Sequence, residues 1–175
     1  MREVKSYGNG LTAPHPITTA ADAQALIWLL SESVAQRMRA DGMRARTISI
    51  GVRNDVDLSG YGCQVKLDRP SAATRHVAHA AWALLAACEP FDENHPIRAL
   101  HVRATDLVEA DPGVQLTLFE ANEPDWEGLD SCIDELRRRY GNTCIVRGTE
   151  LLDASLAGLD IKDENTVHPV GYFHR

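Results

Sequence analysis

The sequence predicts an α+β fold: a four-stranded sheet in the order β-α-β-β-α-β with two helices on one face, followed by a linker and a short helical C-terminal extension. Three observations lead to this prediction. Apolar and polar residues alternate in the segments expected to be strands, two long segments carry apolar stripes at helical spacing, and no period is sustained over residues 109–124. The chain is therefore divided into residues 1–110, 111–124 and 125–175.

The N-terminal elements are a short strand and a long helix. "VKSYGNG" alternates like a strand and is expected to end in a Gly-Asn-Gly turn at residues 8–10. In the segment that follows, Thr19 and Asp22 resemble a capping box and Gly42 is expected to end the helix. The apolar stripe of this helix consists of Leu26, Ile27, Leu30, Val34 and Met38. Trp28 and Leu29 lie off that stripe and are expected to pack either on another segment or on a neighbouring domain.

The middle of the chain predicts a hairpin, a second helix and a last strand. "ARTISIGVRN" has a period of two, and a turn over residues 54–60 leads to the strand "YGCQVKLD". Ser71 is expected to cap an alanine-rich helix, and "PIRALHVRATDLV" supplies the fourth strand. The stripe of the second helix consists of Val77, Ala81, Leu84, Leu85 and Cys88.

One face of this sheet has no predicted cover within the chain, because each helix offers only one stripe to the other face. The outward positions are Thr47, Ser49, Gly51, Arg53, Gln64, Lys66, His101 and Arg103. Cations and hydroxyls without a carboxylate are suited to a nucleic-acid backbone, and the scarcity of aromatic residues argues against base stacking. A solvated face or a face covered by a partner would show the same pattern and stays open.

Composition and charge limit the function classes. The chain has 175 residues and a formal net charge of −7. Residues 1–106 carry 12 Lys and Arg against 11 Asp and Glu, whereas residues 107–175 carry 6 against 14. Two regions of different function are therefore expected. No apolar run approaches the roughly 18 residues that a membrane helix needs, and the N-terminus lacks a signal-peptide core, so we expect a cytoplasmic protein without a membrane partner.

The cysteines and histidines give no strong signal for a site. Cys63, Cys88, Cys132 and Cys144 are far apart in sequence, so neither a disulfide framework nor a zinc site is expected, and buried thiols are the default. His76 and His79 are spaced like two helical metal ligands, but no third ligand is evident. No metal site and no catalytic residue are predicted in this chain.

The region after residue 110 contains an unusual apolar stretch, "VQLTLFE". Gln115, Leu116, Leu118 and Phe119 match the pentapeptide QL(S/D)LF, which resembles the peptide by which bacterial polymerases and repair proteins bind the sliding clamp. The alternative is a strand tucked under the following helix. That helix, in "DWEGLDSCIDELRRRYG", has a stripe of Leu129, Ile133, Leu136 and Tyr140 and is expected to end at Gly141.

Taken together, these segments resemble the little-finger domain of Y-family translesion DNA polymerases. The resemblance lies in the order of the strand "VKSYGNGLT", the long helix, "RARTISIGVR", the second helix, "PIRALHVRATDLV" and "QLTLF". The similarity is to DNA polymerase IV and UmuC-like members, and it covers roughly residues 2–120. It implies that residues 1–110 bind DNA, that residues 111–124 are a linker with the clamp-binding peptide, and that residues 125–175 are a helical extension and tail.

The resemblance also implies partners and site residues. It implies primer–template DNA, held by its backbone without sequence specificity, and a bacterial sliding clamp, in a nucleoid-associated protein. The residues expected to contact DNA are Lys5, Ser6, Arg44, Thr47, Ser49, Arg53, Lys66 and Arg103. The catalytic palm and its magnesium ions would belong to the parent polymerase, so this chain is expected to be a C-terminal fragment that is itself inactive and needs no cofactor.

Some residues depart from the family pattern. Gly51 stands where many relatives have Lys, and Asp55 and Asp57 stand in a turn where the family often has more hydroxyl and basic residues. These departures predict weak intrinsic DNA affinity with a steep salt dependence, supplemented by tethering to the clamp. The rival hypothesis is a stand-alone interaction module of split βαβ fold that dimerises through its open sheet face.

Overall fold

A computed structural model describes residues 4–88, 92–110 and 124–148 of the chain. The elements are β1 Ser6–Ile17, α1 Ala20–Ala40, β2 Met43–Asn54, β3 Gly60–Ser71, α2 Thr74–Ala87, β4 Ile97–Glu109 and α3 Trp126–Tyr140. The strands form one sheet in the order β1-β4-β2-β3, with every neighbouring pair antiparallel. The predicted β-α-β-β-α-β plan and α+β class are confirmed.

The core lies between the sheet and helices α1 and α2. Ile48, Ile50 and Val52 of β2 face the helices, as do alternate residues of β4, and all of them are buried. The predicted stripe of α1 is also buried, and Thr19 caps this helix by accepting a hydrogen bond from the Asp22 N–H at 3.2 Å. Burial of this continuous apolar layer is the main source of stability.

Strand β1 differs from the sequence prediction. It runs from Ser6 to Ile17 without a turn at Gly8-Asn9-Gly10. Two residues of α1 anchor this part of the strand: the Asn9 amide donates to Ser33 Oγ at 2.9 Å, and Arg37 donates to the Gly8 carbonyl at 2.7 Å. These tertiary bonds hold the backbone extended, although the local sequence favours a turn. The glycines therefore lie within a paired strand, where the absence of a side chain permits close packing.

The N-terminus of α2 also differs from the prediction. Ser71 is the last residue of β3, and Ala73 at the N-cap makes no side-chain capping bond. Ser71 Oγ accepts from the Ala73 N–H at 3.0 Å, and two further acceptors come from α3: Asp130 Oδ2 accepts from the Thr74 N–H at 2.7 Å, and Glu127 Oε1 accepts from the Ala72 N–H at 2.9 Å. Two carboxylates thus stand at the positive end of the α2 dipole, supplied by a helix more than fifty residues away in sequence.

Helix α3 packs on α1 and α2 through its charged side. Asp130 and Arg137 are buried, whereas Leu129, Leu136 and Tyr140 of the apolar stripe are 51%, 39% and 71% exposed. The apolar stripe is therefore not the side on which this helix is buried. The charged side of α3 is buried because α1 and α2 supply its partners, which include Glu32 and the N–H groups at the N-terminus of α2.

A buried ion-pair network fixes α3 and the segment that follows it. Glu32 of α1 pairs with Arg137 at 2.9 Å and with Arg147, and both Glu32 and Arg137 side chains are only 4% exposed. Arg147 also lies over the ring of Trp28 at 4.5 Å from its centroid, and Trp28 meets His79 edge-on. Trp28 thus packs on other segments of this chain, which is the first of the two alternatives.

Candidate nucleic-acid interface

The strand register places the outward residues of the sheet in four rows that cross all four strands. The rows are Ser6–Thr105–Thr47–Lys66, Gly8–Arg103–Ser49–Gln64, Gly10–His101–Gly51–Gly62 and Thr12–Ala99–Arg53–Gly60. We call this surface the open face. Their in-strand neighbours on β2 and β4 face the helices, so these side chains project away from them. No position in the four rows carries a carboxylate.

Arg103 lies near the centre of the open face and is held by neutral neighbours. Its Nη2 donates to Ser6 Oγ at 3.0 Å, and Ser49 Oγ donates to the Arg103 carbonyl at 3.4 Å. The guanidinium is exposed and keeps most of its five donors for an incoming acceptor. An anion that approaches this row would meet a preoriented cation flanked by hydroxyls.

The cations of the open face differ from most other arginines of the protein. Arg39, Arg44, Arg98, Arg137, Arg138, Arg139 and Arg147 each pair with a carboxylate. Arg53, Lys66 and Arg103 have no carboxylate partner among residues 4–88, 92–110 and 124–148. The four rows therefore carry three cations and no carboxylate, a local excess of positive charge on an acidic protein.

A shallow groove crosses the third and fourth rows, where glycines replace side chains. Its volume is ≈ 700 Å³, and its lining includes Gly10, Gly51, Gly62, Arg53 and His101. The His101 ring lies across β1, so that a Cβ added to Gly10 would be 2.8 Å from its Cδ2 atom. Desolvation of this ring, followed by the charge of Arg103, lowers the pKa of His101 below its usual value.

The two acidic residues of the β2–β3 turn are engaged locally. Asp55 pairs with Arg98 at 2.8 Å, and Asp57 accepts from the backbone N–H and hydroxyl of Ser59. These bonds from Ser59 lower the pKa of Asp57. Both carboxylates lie beyond the open-face rows, so they do not neutralise the cations there.

The structure brings together most of the residues predicted to contact DNA. Ser6, Thr47, Ser49, Arg53, Lys66 and Arg103 belong to the open face, and Lys5 is exposed directly before β1. Arg44 is the exception: it donates twice to Glu127 Oε2, at 3.0 and 2.8 Å, and so helps to hold α3. The clamp-peptide residues Gln115, Leu116, Leu118 and Phe119 lie outside the described residues.

Three residues of this face, Thr105, Gly8 and Gly10, were not among those predicted to contact DNA. Thr105, which strand alternation places on the outward side, stands between Ser6 and Thr47 in the first row. Gly8 and Gly10 form part of the groove, but their role was hidden because Gly-Asn-Gly was interpreted as a turn. Extended glycine in a paired strand has no distinct local signature.

The histidine pair on α2 has other contacts. His76 Nδ1 lies 2.8 Å from Ser71 Oγ, and the His79 ring meets Trp28. Desolvation, Arg75 and His76 lower the pKa of His79. Across the described parts of the chain, no group of three His, Cys, Asp or Glu residues is arranged to hold a metal ion, so no step is assigned to a metal here. Within the same residues, no helix is both long enough and apolar enough to span a membrane.

Comparison with known proteins identifies similar sequences and structures. Residues 4–118 match the model of the impB/mucB/samB family C-terminal domain. The chain is 37% identical over 155 residues to DNA polymerase IV of Acetivibrio thermocellus, covering 87% of this chain and 38% of that protein. It is 33% identical over 155 residues to DNA polymerase IV 2 of Halalkalibacterium halodurans, covering 87% of this chain and 37% of that protein. The chain thus spans well under half the length of these relatives.

One similar solved structure is a complex of the beta-clamp processivity factor with the little finger domain of PolIV. It aligns with a TM-score of 0.47 and 15% sequence identity, covering 65% of this chain and 98% of that one.

Proposed function

The chain belongs to the impB/mucB/samB family through its C-terminal domain, and on that premise we propose that it is the little-finger module of a Y-family DNA polymerase, which grips primer–template DNA through the open face. The observation that carries this proposal is the set of four rows in which Arg53, Lys66 and Arg103 stand among hydroxyls and glycines with no carboxylate. This chemistry suits phosphate oxygens and offers no code for base identity.

The side chains of the first two rows, together with Arg53, would contact the phosphates. Arg103 would present its free donors to one phosphate, and the hydroxyls of Ser6 and Thr47 would donate to neighbouring oxygens. The Ser49 hydroxyl would do the same by turning away from the Arg103 carbonyl, to which it donates at 3.4 Å. Lys66 would add a point charge at the outer strand of the sheet. Lys5 lies next to Ser6 and extends this cationic surface, whereas Arg44 serves the α3 contact instead.

The glycine groove would admit the DNA backbone closely. Without side chains at Gly10, Gly51 and Gly62, the sugar–phosphate chain can approach the sheet beside His101. Desolvation and the charge of Arg103 lower the pKa of His101, which favours the neutral ring in the free protein. The rows carry no Phe, Tyr or Trp, which fits backbone binding better than base stacking.

Intrinsic affinity should be weak and steeply dependent on salt. Three open-face cations that each neutralise one phosphate would give a slope of log K against log salt of about −3. We further propose that Gln115, Leu116, Leu118 and Phe119 bind a sliding clamp as a short apolar peptide. Joining the two weak contacts by a linker would raise the effective concentration of DNA at the open face.

Nucleotidyl transfer would belong to the rest of a longer polymerase. The chain corresponds to 37–38% of its relatives' length, and the described residues supply no metal-binding cluster. We therefore propose a positioning role in translesion synthesis and DNA repair for this part, with the palm and its magnesium ions supplied by the remainder.

Fluorescence anisotropy with labelled primer–template DNA at low salt tests the DNA contact. We expect the double variant Arg53→Glu/Arg103→Glu to weaken binding roughly tenfold or more, since it replaces two phosphate partners by repulsive charges. The matched control is Arg138→Glu/Arg139→Glu, which makes the same charge change on the exposed side of α3. Equal loss in both variants would contradict a role for the open face. Absence of DNA binding, together with dimers that the open-face variant disrupts, would favour the interaction module.

Surface plasmon resonance on an immobilised bacterial sliding clamp tests the peptide. We expect Leu118→Ala/Phe119→Ala to abolish binding, because the two side chains would fill the apolar pocket. Leu129→Ala/Leu136→Ala removes two exposed apolar side chains from α3 and serves as the control. Normal binding by the peptide variant, or loss only in the control, would overturn the clamp assignment.

A further inference from the structure

Two of the four cysteines meet in the folded protein although 25 residues separate them in sequence. Cys63 Sγ of β3 lies 3.0 Å from Cys88 Sγ at the C-cap of α2. Both residues are partly exposed, whereas Cys132 and Cys144 are exposed. The expectation that the cysteines are buried thiols is therefore wrong for all four. The chain contains a matched set of two adjacent thiols and two others that can serve as controls.

Cys63 is positioned by the sheet, and Cys88 is positioned by the end of α2. Cys63 pairs with Ile50 in the sheet, so its side chain points toward the helical layer, as the buried Ile50 side chain does. The Cys88 N–H donates to the carbonyl of Leu85, whose side chain is fully buried in the core. The juxtaposition is thus fixed by the packing of α2 on β2 and β3.

We propose that Cys63 and Cys88 form a reversible disulfide, with a hydroperoxide as the oxidant. One thiolate attacks the hydroperoxide, whose O–O bond breaks as an S–O bond forms, giving a sulfenic acid and releasing water or an alcohol. The second thiol then attacks the sulfenic sulfur, so that the S–O bond breaks, the S–S bond forms and one water leaves with the proton of that thiol. The two sulfurs together lose two electrons and two protons, which the hydroperoxide takes up.

The bond requires little movement of the protein. An S–S bond is about 2.05 Å long, so the sulfur atoms need to approach by only roughly 1 Å. Partial exposure gives a small oxidant access to the pair, unlike a thiol sealed in the core. A dithiol such as dithiothreitol would restore both thiols by exchange.

Oxidation would alter the outer edge of the sheet. β3 is an edge strand that pairs only with β2 in the sheet, and it carries Gln64 and Lys66 of the open face next to Cys63. The cross-link would tie this strand to the end of α2 and would reduce the freedom of the unfolded chain. We expect the midpoint of thermal unfolding to rise by roughly 10 °C on oxidation.

The test compares two variants of the full chain after treatment with hydrogen peroxide. Cys132→Ser/Cys144→Ser keeps only the adjacent pair, and Cys63→Ser/Cys88→Ser keeps only the other two cysteines. After alkylation of remaining thiols, intact mass and peptide mapping count free thiols and locate cross-linked peptides. Thermal unfolding is followed before oxidation, after oxidation and after dithiothreitol.

The variant with Cys63 and Cys88 should lose the mass of two hydrogen atoms, yield a peptide that joins the two residues, and regain both thiols with dithiothreitol. The variant with Cys132 and Cys144 should form no intramolecular cross-link. Independent alkylation of Cys63 and Cys88 after oxidation would overturn the proposal. Their conversion to sulfinic acids without a cross-link, or an unchanged midpoint in the cross-linked protein, would also overturn it.

Discussion

Asp130 links α3 to the N-terminus of α2, and its replacement tests how the C-terminal helix is held. One of its oxygens accepts from the Thr74 N–H at 2.7 Å and from Arg39 Nη1 at 3.2 Å, and the residue is only 6% exposed. We expect Asp130→Ala to lower the free energy of unfolding by about 3 kcal/mol. Asp130→Asn retains an acceptor oxygen and should lower it by about 1 kcal/mol.

The magnitude follows from the partners that each substitution leaves behind. In Asp130→Ala the buried Thr74 N–H loses a charged acceptor, which costs about 1.5–3 kcal/mol. Arg39 loses one ion pair but keeps Asp134 and the Ala72 carbonyl, each at 2.8 Å. The loss of stability at Arg39 is therefore smaller than the roughly 3–5 kcal/mol expected when a buried charge loses its only partner.

Urea unfolding of the full chain, monitored by tryptophan fluorescence and circular dichroism, gives the comparison. The midpoint should fall while the slope of free energy against urea stays unchanged. Leu129→Ala is the control, because Leu129 lies on the exposed stripe of α3 and its loss should cost about 0.5 kcal/mol or less. If Leu129→Ala costs as much as Asp130→Ala, the helix is held by its apolar stripe and our interpretation of the charged contact is wrong.

Three further predictions concern the buried pair and the groove. Glu32→Gln leaves Arg137 without its anionic partner and should cost about 3 kcal/mol in urea unfolding; a cost below about 1 kcal/mol would contradict the network. Gly10→Val places a Cβ 2.8 Å from His101 Cδ2 and should cost about 1–3 kcal/mol, whereas an unchanged unfolding midpoint would show that the ring moves freely. Desolvation and Arg103 hold the folded-state pKa of His101 below its unfolded value of about 6.5. Stability is therefore greatest above that pH and is lost as the pH falls toward the folded-state pKa. His101→Gln should reduce the loss of stability seen in thermal unfolding between about pH 7.5 and pH 5.5, and an identical loss in the variant would exclude His101 as its source.

The layers of the fold and the character of the open face were predictable from local pattern. Alternation at Ile48, Ile50 and Val52 identified the buried side of β2, and the same alternation identified Arg53 and Arg103 as outward residues. These predictions succeeded because the side-chain direction in a strand depends on sequence parity alone. The Gly-Asn-Gly turn was wrong because Ser33 and Arg37, two dozen or more residues away, hold this segment in the sheet.

The sequence alone determined the element order, the two helix stripes facing the sheet, and a cationic surface without carboxylates, since each depends on spacing between near neighbours. Only the tertiary structure decided which side of α3 is buried, that Arg44 binds Glu127, and that Cys63 meets Cys88. A charged side chain can be buried only where distant partners satisfy it, and those partners become neighbours only when the chain has folded.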